Sequence, residues 1–517
     1  LTTCFCSLII MTKVAVATGS QLAADAGARV ARAGGNAVDA AIAASLVSCV
    51  VEPGVCSLAA SGFLTIWPAG ADPVMVDGSA IVPGMGLPKE RFGKAATEVL
   101  LDYGGGVRTT VGHGSVAVPG NLAAYALASE RYGKVPWQVL VEPARELAHS
   151  GFPLSDASSY YLQLTHQSIY GSSEHGLATF YDANGELRKP GSLVCIEHLD
   201  DTLQCIAEGG VEEFYRGDLA ARITSHIEGH GGMLTRRDMA SYQAQVLPTL
   251  DVQMHGWTVA TDSPPALGGA VLAAMLLLMG DRPQGDWTPA ELEYLIQVQE
   301  AVLDFRYDRL DNSEDLPRDV QDLLEQAATQ DLTHFLSSPS TVHASAVDTT
   351  GLACSVTVSA GYGSGVMPPG TGIFMNNSLG ELELNKRGLC GWRPGSRLPS
   401  NMAPTVARHH DGAVLAIGSP GASRITTAIQ QALLNFMQLG MPLQAAVDQA
   451  RLHVEQHDGQ VQVAYEEALP VNQLDVRQRM FPGISMYFGG VSAALWHPLE
   501  GFVVAADPRR AGGTAVS

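Results

Sequence analysis

Hydroxyl side chains stand at the start and at the end of a β-hairpin that the sequence predicts at 341–359. Small apolar and polar residues alternate from Val342 to Val347, Asp-Thr-Thr-Gly at 348–351 is typical of a turn, and 352–359 reads as a β-branched strand. Thr341 therefore stands where a flexible linker becomes a sheet, and Ser359 ends the paired strand. The alternative interpretation is a hairpin that only exposes a polar face to water.

Thr341 would become an effective nucleophile if the chain were cut before it. A neutral hydroxyl needs a neighbouring base, and the α-amine of a new N-terminus, with a pKa of about 7.7 to 8.0, is such a base. Cleavage of the peptide bond between Ser340 and Thr341 would create nucleophile and base in one event. The glycine-rich segment 418–424 offers backbone N–H groups for an oxyanion hole. Together these parts predict acyl transfer.

The motifs around Thr341 resemble those of the γ-glutamyltranspeptidase family of N-terminal nucleophile hydrolases. The family pattern T-x-H-x-S-V-V-D is similar to Thr-Val-His-Ala-Ser-Ala-Val-Asp at 341–348. The patterns F-G-x-G and T/S-G-I-x-x-N-N are similar to 362–365 and 371–377, and G-G-N-A-V-D-A-A occupies 34–41. The resemblance extends from about residue 14 to residue 510, with the motifs in the family's order.

This resemblance implies an α/β fold of the N-terminal nucleophile hydrolase type, a four-layer αββα sandwich. It also implies self-cleavage between Ser340 and Thr341, with His343 in the processing motif. The products would be a large α subunit, 1–340, and a small β subunit, 341–517, held together as one globular heterodimer. Residues 1–10 are expected to lie outside the fold. The heterodimer is expected either to stand alone or to pair into a dimer of heterodimers.

Four positions carry the chemistry that the resemblance implies. Thr341 is the nucleophile, and its α-amine is the base. Ser359 keeps the hydroxyl of the family's second threonine, and Gly421 and Ala422 take the place of the paired glycines of the oxyanion hole. Backbone N–H groups hold the oxyanion, so alanine at 422 is compatible with that role.

The substrate-binding positions depart from the family pattern. The family's D-F-R-E, whose arginine binds the α-carboxylate of a γ-glutamyl group, is Asp-Gly-Ser-Ala at 77–80. A serine cannot form the bidentate, charge-assisted pair that arginine forms with a carboxylate. The family's asparagine near 360–361 is missing, and a glutamate replaces the aspartate that holds the α-amine. The substrate-binding residues predicted from the motifs are Ser79, Tyr362, Glu381, Ser400 and Asn401.

The catalytic positions keep the family's chemical groups, whereas the substrate-binding positions are changed. This combination predicts a self-processed hydrolase or acyltransferase whose acyl donor is not glutathione. Three alternatives stay open. One is a C–C bond hydrolase of the same family in the biosynthesis of 4-alkylproline natural products. The second is an amidohydrolase for small amides such as oxamate, and the third is a non-catalytic scaffold homologue. The predicted partners are a small-molecule substrate and the chain's own cleaved subunit.

The composition argues against several other functions. A net charge of -21 disfavours binding to nucleic acid or to an anionic membrane, and the longest apolar run, 266–279, is too short to span a bilayer. The eight cysteines show no paired metal-ligand spacing, and neither a metal nor an organic cofactor is predicted. The first ten residues lack the basic residues and the cleavage site of a secretory signal, which favours Met11 as the start and a cytoplasmic location.

Overall fold

The computed structural model describes residues 12–102, 106–329, 341–457 and 460–517. Two of the sequence predictions, that residues 1–10 are not part of the fold and that Ser340 takes part in processing, lie outside these described residues. In the described ranges, no helix is both long and apolar enough to cross a bilayer.

The strands and α-helices of the described residues are numbered in chain order. The strands are β1 Val14–Thr18, β2 Ser61–Trp67, β3 Val74–Gly78, β4 Thr97–Leu101, β5 Val107–Val111, β6 Phe152–Pro153, β7 Leu193–Val194, β8 Gln245–Pro248, β9 Leu250–Met254, β10 Trp257–Thr261, β11 Val342–Asp348, β12 Ala353–Ser359, β13 Thr405–His409, β14 Val414–Gly418, β15 Leu452–His457, β16 Gln460–Glu466, β17 Gln478–Phe481, β18 Ser492–His497, β19 Gly501–Ala506 and β20 Gly513–Val516. The helices are α1 Gln21–Arg32, α2 Ala37–Val51, α3 Asn121–Tyr132, α4 Trp137–Ser150, α5 Asp156–Thr165, α6 Glu174–Phe180, α7 Leu199–Gly209, α8 Glu212–Tyr215, α9 Asp218–Gly229, α10 Arg236–Ser241, α11 Gly268–Met279, α12 Pro289–Phe305, α13 Leu316–Ala328, α14 Arg424–Leu433 and α15 Leu443–Asp448.

Two larger antiparallel sheets position the predicted site. In the described residues, the first has the order β20-β1-β11-β12-β2-β3-β8, and the second has the order β19-β18-β14-β13-β10-β9. The hairpin β11–β12 lies in the middle of the first sheet, with Val342 opposite Val358 and Val347 opposite Ala353. The predicted hairpin and the predicted α/β class are therefore confirmed.

Strand β11 has apolar neighbours of different kinds on its two faces. Val342 and Ala344 belong to a core that also contains Ile42 of α2 and further helical residues. Val347 belongs to a smaller cluster that includes Val414 of the second sheet. Because side chains alternate along a strand, the residues at 341, 343 and 345 share the face of Val347. β11 therefore has helices on one side and the second sheet on the other.

The early motif at 34–41 is joined to the hairpin through a helix N-terminus. Asn36 caps α2 by accepting a hydrogen bond from the Asp39 N–H, and the Asp39 carboxylate accepts one from the Asn36 N–H. The buried carboxylate of Asp348, at the end of β11, accepts a hydrogen bond from the Ala37 N–H at 3.3 Å. A carboxylate at this end of a helix compensates its unpaired N–H groups and its dipole. α2 is thereby fixed to the strand that begins beside Thr341.

Candidate active site

One cavity brings together most of the residues that the sequence predicts for the site. Its volume is about 360 Å³, counting the space open to solvent, and its walls are mostly polar. The lining consists of Ser61, Ser79, Ala80, Thr341, Ser359, Ser378, Glu381, Leu384, Leu398, Pro399, Ser400 and Asn401. The predicted nucleophile thus shares a cavity with Ser359 and with all the predicted substrate-binding residues except Tyr362.

Thr341 directly precedes β11, and the alternation of the strand places it on the face turned towards the second sheet. Only 1% of its surface is exposed, and every residue of β11 and β12 is buried. Ser359 ends the neighbouring strand, and its Oγ accepts a hydrogen bond from the Gly361 N–H at 3.1 Å. The interpretation of the hairpin as a strand pair with one face in water is wrong, because the second sheet covers that face.

His343 fixes the strand two residues after Thr341. Its Nδ1 is 2.9 Å from the Thr357 hydroxyl and its Nε2 is 2.7 Å from the Ser345 hydroxyl, so both ring nitrogens are held. Burial lowers the pKa of His343 to about 3, and the ring is therefore neutral at physiological pH. A Cβ added at Gly418 would lie 2.2 Å from the ring's Cε1, so only glycine fits there. His343 therefore positions the strand against the segment that begins at Gly418.

Gly421 and Ala422 lie in the turn that follows Gly418 and leads into α14. Both have positive φ, +129° at Gly421 and +69° at Ala422, and Ala422 is completely buried. Within the described part of the chain, neither N–H donates a hydrogen bond. Neither residue contributes to the cavity lining. Their role in an oxyanion hole therefore stays a prediction.

The guanidinium of Arg397 contacts the side chain of Ser79, which is the position at which the family motif has an arginine. Arg397 Nη1 donates to the Ser79 Oγ at 3.0 Å and is 3.1 Å from the buried carboxylate of Asp77. Its Nη2 donates to the Gln243 carbonyl at 2.7 Å, which fixes the plane of the group. Asp77 also accepts from the Ser79 N–H at 2.8 Å. The positive charge missing from position 79 therefore comes from a distant part of the chain.

Glu381 occupies space that the missing asparagine would need. A Cβ at Gly361 would lie 2.9 Å from the carboxyl carbon of Glu381 and 2.3 Å from the Asn377 Oδ1, and φ is +66° at Gly361. Burial, and next the neighbouring carboxylate of Glu383, raise the pKa of Glu381 to about 8. Glu381 is therefore largely protonated at pH 7, unlike an aspartate that holds an ammonium group.

The remaining predicted substrate-binding residues, Tyr362, Ser400 and Asn401, are buried and belong to local hydrogen-bond networks. Tyr362 is completely buried beside the cavity, and its hydroxyl donates to Glu383 at 3.0 Å. The Ser400 Oγ accepts from the Met402 N–H at 3.2 Å, and Asn401 is 3% exposed. Tyr362 thus holds Glu383, the glutamate that helps to raise the pKa of Glu381.

Two features of the structure were not found from the sequence. Arg397 was missed because its contact with Ser79 joins residues 318 positions apart. A cluster of His113, His226 and His230 was also missed, because it joins the turn after β5 to the end of α9. The spacing of four between His226 and His230 would have been the signal for that cluster, since residues four apart lie on one face of a helix.

Comparisons with known proteins show the family and the fold of the chain. The family model described as Gamma-glutamyltranspeptidase matches residues 23–517. A "Glutathione hydrolase proenzyme" from Pseudomonas sp. (strain A14) is 28% identical over 475 residues, 85% of this chain and 81% of that protein. An "Acylase ACY 1 proenzyme" from Pseudomonas sp. (strain V22) is 27% identical over 531 residues, 97% of this chain and 93% of that protein. The solved structure of a cephalosporin acylase from Bacillus halodurans has a TM-score of 0.80 at 24% identity, covering 98% of this chain and 96% of that chain, and supports the fold.

The two sheets have the fold of the solved cephalosporin acylase, and the buried side chain of Thr341 lines a polar cavity. The chain belongs to the γ-glutamyltranspeptidase family, because the family model covers nearly all of it. Its relatives are hydrolases and acylases, so it is an enzyme of the hydrolase and transferase kind. The scaffold alternative is therefore set aside.

Proposed function

We propose that this enzyme cuts itself between Ser340 and Thr341 and then hydrolyses amides whose acyl group carries a carboxylate but no ammonium group. The observation that carries the proposal is the single cavity in which Thr341 and Ser359 meet Ser79 and Glu381. The cut would give the subunits 1–340 and 341–517, a heterodimer in a four-layer αββα sandwich. The name "proenzyme" of both relatives and the apolar clusters on the two faces of β11 support this part.

The chemistry follows from the groups near the start of β11. The α-amine of Thr341 takes the proton of its own hydroxyl, and Oγ1 attacks the amide carbon. The N–H groups of Gly421 and Ala422 stabilise the oxyanion, and the leaving amine takes the proton from the α-ammonium as the C–N bond breaks. Water then attacks the acyl ester and gives its proton to the α-amine. As the bond between the acyl carbon and Oγ1 breaks, Oγ1 takes this proton back and the acid leaves. Ser359 orients the nucleophile from the end of the paired strand.

The choice of acyl group follows from Ser79 and Glu381. The Ser79 Oγ accepts a hydrogen bond from Arg397, so its own hydrogen can be donated into the cavity, towards a carboxylate oxygen. The neighbouring charge of Arg397 strengthens this donor. Glu381 is largely neutral at pH 7 and offers no fixed negative charge to an α-ammonium group. A dicarboxylic acid monoamide therefore fits better than a γ-glutamyl group.

The relatives named acylases favour an amide bond over the C–C bond of the 4-alkylproline alternative. Oxamate is the second candidate substrate, since it is a short dicarboxylic acid monoamide without an ammonium group. Both candidates depend on the same donor at Ser79.

Three p-nitroanilides separate the recognition elements of the acyl group. Glutaryl-p-nitroanilide carries the carboxylate alone, γ-glutamyl-p-nitroanilide adds the ammonium, and pentanoyl-p-nitroanilide has neither. We expect kcat/KM for the glutaryl compound at pH 7 to exceed that for each of the others by about 10-fold or more. Against the pentanoyl compound this is the worth of one hydrogen bond to a charged group, and against the γ-glutamyl compound it is the cost of an ammonium group that finds no charged partner in the cavity. Release of p-nitroaniline measures all three, with oxamate hydrolysis followed by ammonia release. Fastest turnover of the γ-glutamyl compound would contradict the proposal.

The preference between these substrates should depend on pH through Glu381. Its carboxyl loses its proton as the pH rises through about 8, because burial has raised its pKa. The new negative charge repels the carboxylate of both compounds, but it attracts the ammonium group that only the γ-glutamyl compound carries. We expect the ratio of kcat/KM for the γ-glutamyl to the glutaryl compound to rise about 10-fold between pH 6.5 and 8.5.

The ratio of the two kcat/KM values reports on Glu381. Ionisation of the Thr341 α-amine changes the kcat/KM of both substrates by the same factor, which cancels in the ratio. The matched control is Glu381→Gln, which keeps the shape of a protonated glutamate and cannot ionise. Its ratio should stay constant over the same pH range. An equal rise in the variant would assign the effect to another group.

A further inference from the structure

Three histidines converge on one side of the molecule, outside the lining of the cavity. His113 follows β5 and opens a short 3-10 turn, while His226 lies in the last turn of α9 and His230 caps that helix. The Nε2 atoms of His113 and His226 are 3.2 Å apart, and one ring nitrogen from each of the three lies within 4.8 Å of the others. Neither the hydroxyl chemistry nor the substrate groups use these rings.

The distances match those of a metal site. Zn²⁺ bound tetrahedrally by imidazoles at about 2.0 to 2.1 Å places the ligand nitrogens about 3.3 Å apart. The separation of 3.2 Å between His113 and His226 agrees with that edge. Residues four apart lie on the same face of a helix, so His230 approaches the same point as His226. His230 is exposed and its ligand nitrogen lies within 4.8 Å of the other two, so a side-chain rotation that moves this nitrogen by at most about 1.5 Å brings it to the tetrahedral edge.

A hydrogen bond to the backbone fixes which nitrogen of His230 can bind a metal. Its Nδ1 is 2.8 Å from the His226 carbonyl oxygen, which can only accept, so Nδ1 carries the hydrogen. In the neutral ring, Nε2 then has a free lone pair. Hydrogen bonding of the second ring nitrogen to a carbonyl is the usual support of a metal-bound histidine.

We propose that His113, His226 and His230 bind one divalent cation of the kind that prefers imidazole, with Zn²⁺ as the best match, and that water completes the coordination on the exposed side. The site would tie the 3-10 turn to α9. The carbonyl of Ser115 in this turn accepts a hydrogen bond from the Leu379 N–H, two residues before Glu381. The cation would therefore brace a segment that leads to the cavity wall.

The test uses untagged, full-length protein that has been treated with a chelator and dialysed. Calorimetric titration with ZnCl₂ should show one site per chain in the wild type, and Co²⁺ should give the visible ligand-field spectrum of a site with few ligands. The variant His226→Gln/His230→Gln should bind Zn²⁺ at least about 100-fold more weakly and lose the cobalt spectrum. The matched control is His149→Gln, an exposed histidine at the end of α4, which should bind as the wild type does.

Melting in the presence of chelator checks the fold of each variant. If the double variant fails to fold, His113→Gln replaces it, since it removes the third ligand from a different element. Adding Zn²⁺ should raise the melting temperature of the wild type and of His149→Gln but not that of the ligand variants. Undiminished binding in the ligand variants, or neither heat nor a cobalt spectrum in the wild type, would overturn the proposal.

Discussion

The Thr341→Ala variant should remain one uncut chain and should lose hydrolysis by about 10⁴- to 10⁶-fold, the range expected when a hydrolase loses its nucleophile. Alanine removes the hydroxyl that the cut needs, and without the cut residue 341 has no free α-amine. The effect is large because nucleophile and base disappear together. Intact-mass spectrometry would show one mass for the variant and two fragments, broken between Ser340 and Thr341, for the wild type.

Thr341→Ser is the matched control, because serine keeps a hydroxyl and, once the chain is cut, an α-amine. It should be processed and should retain activity on the glutaryl compound. A wild-type protein that stays uncut yet hydrolyses this compound would remove the α-amine as the base. Full activity of Thr341→Ala would remove Thr341 as the nucleophile.

Local patterns were enough to predict the elements that carry the nucleophile. Alternation along β11, the turn at 348–351 and the β-branched residues of β12 specify a hairpin without further information. These features depend on neighbours in sequence, which is why sequence analysis finds them.

Other properties of the site depend on contacts between distant segments. The raised pKa of Glu381 requires burial and the approach of Glu383 in three dimensions. The fit of Gly418 against His343 requires the second sheet to cover the first. Composition and motif spacing carry neither kind of information. The motifs therefore predicted most residues of the cavity lining. The protonation state of Glu381 could be inferred only after the fold was known.

Arg397 provides the second large effect, because its charge balances a buried carboxylate. Replacing it by methionine leaves Asp77 buried without its ion-pair partner, and we expect a loss of about 3 to 5 kcal/mol in the free energy of unfolding. The double variant Asp77→Asn/Arg397→Met should recover most of this loss, since no buried charge remains unpaired. Asparagine can still accept the hydrogen bond of the Ser79 N–H. Denaturant unfolding of the two variants and the wild type measures both effects.

The same pair of variants separates stability from substrate recognition. In the double variant Ser79 keeps its place but loses the guanidinium behind it, so the preference for glutaryl- over pentanoyl-p-nitroanilide should fall about 10- to 100-fold, the worth of a charge-assisted hydrogen bond. Arg397→Met should show the same fall while it remains folded. A purely structural role of Arg397 predicts the opposite pattern, in which the preference returns with stability. Because pentanoyl turnover reports the intact nucleophile, recovered stability with lost preference would identify Arg397 as the residue that positions Ser79 for a carboxylate.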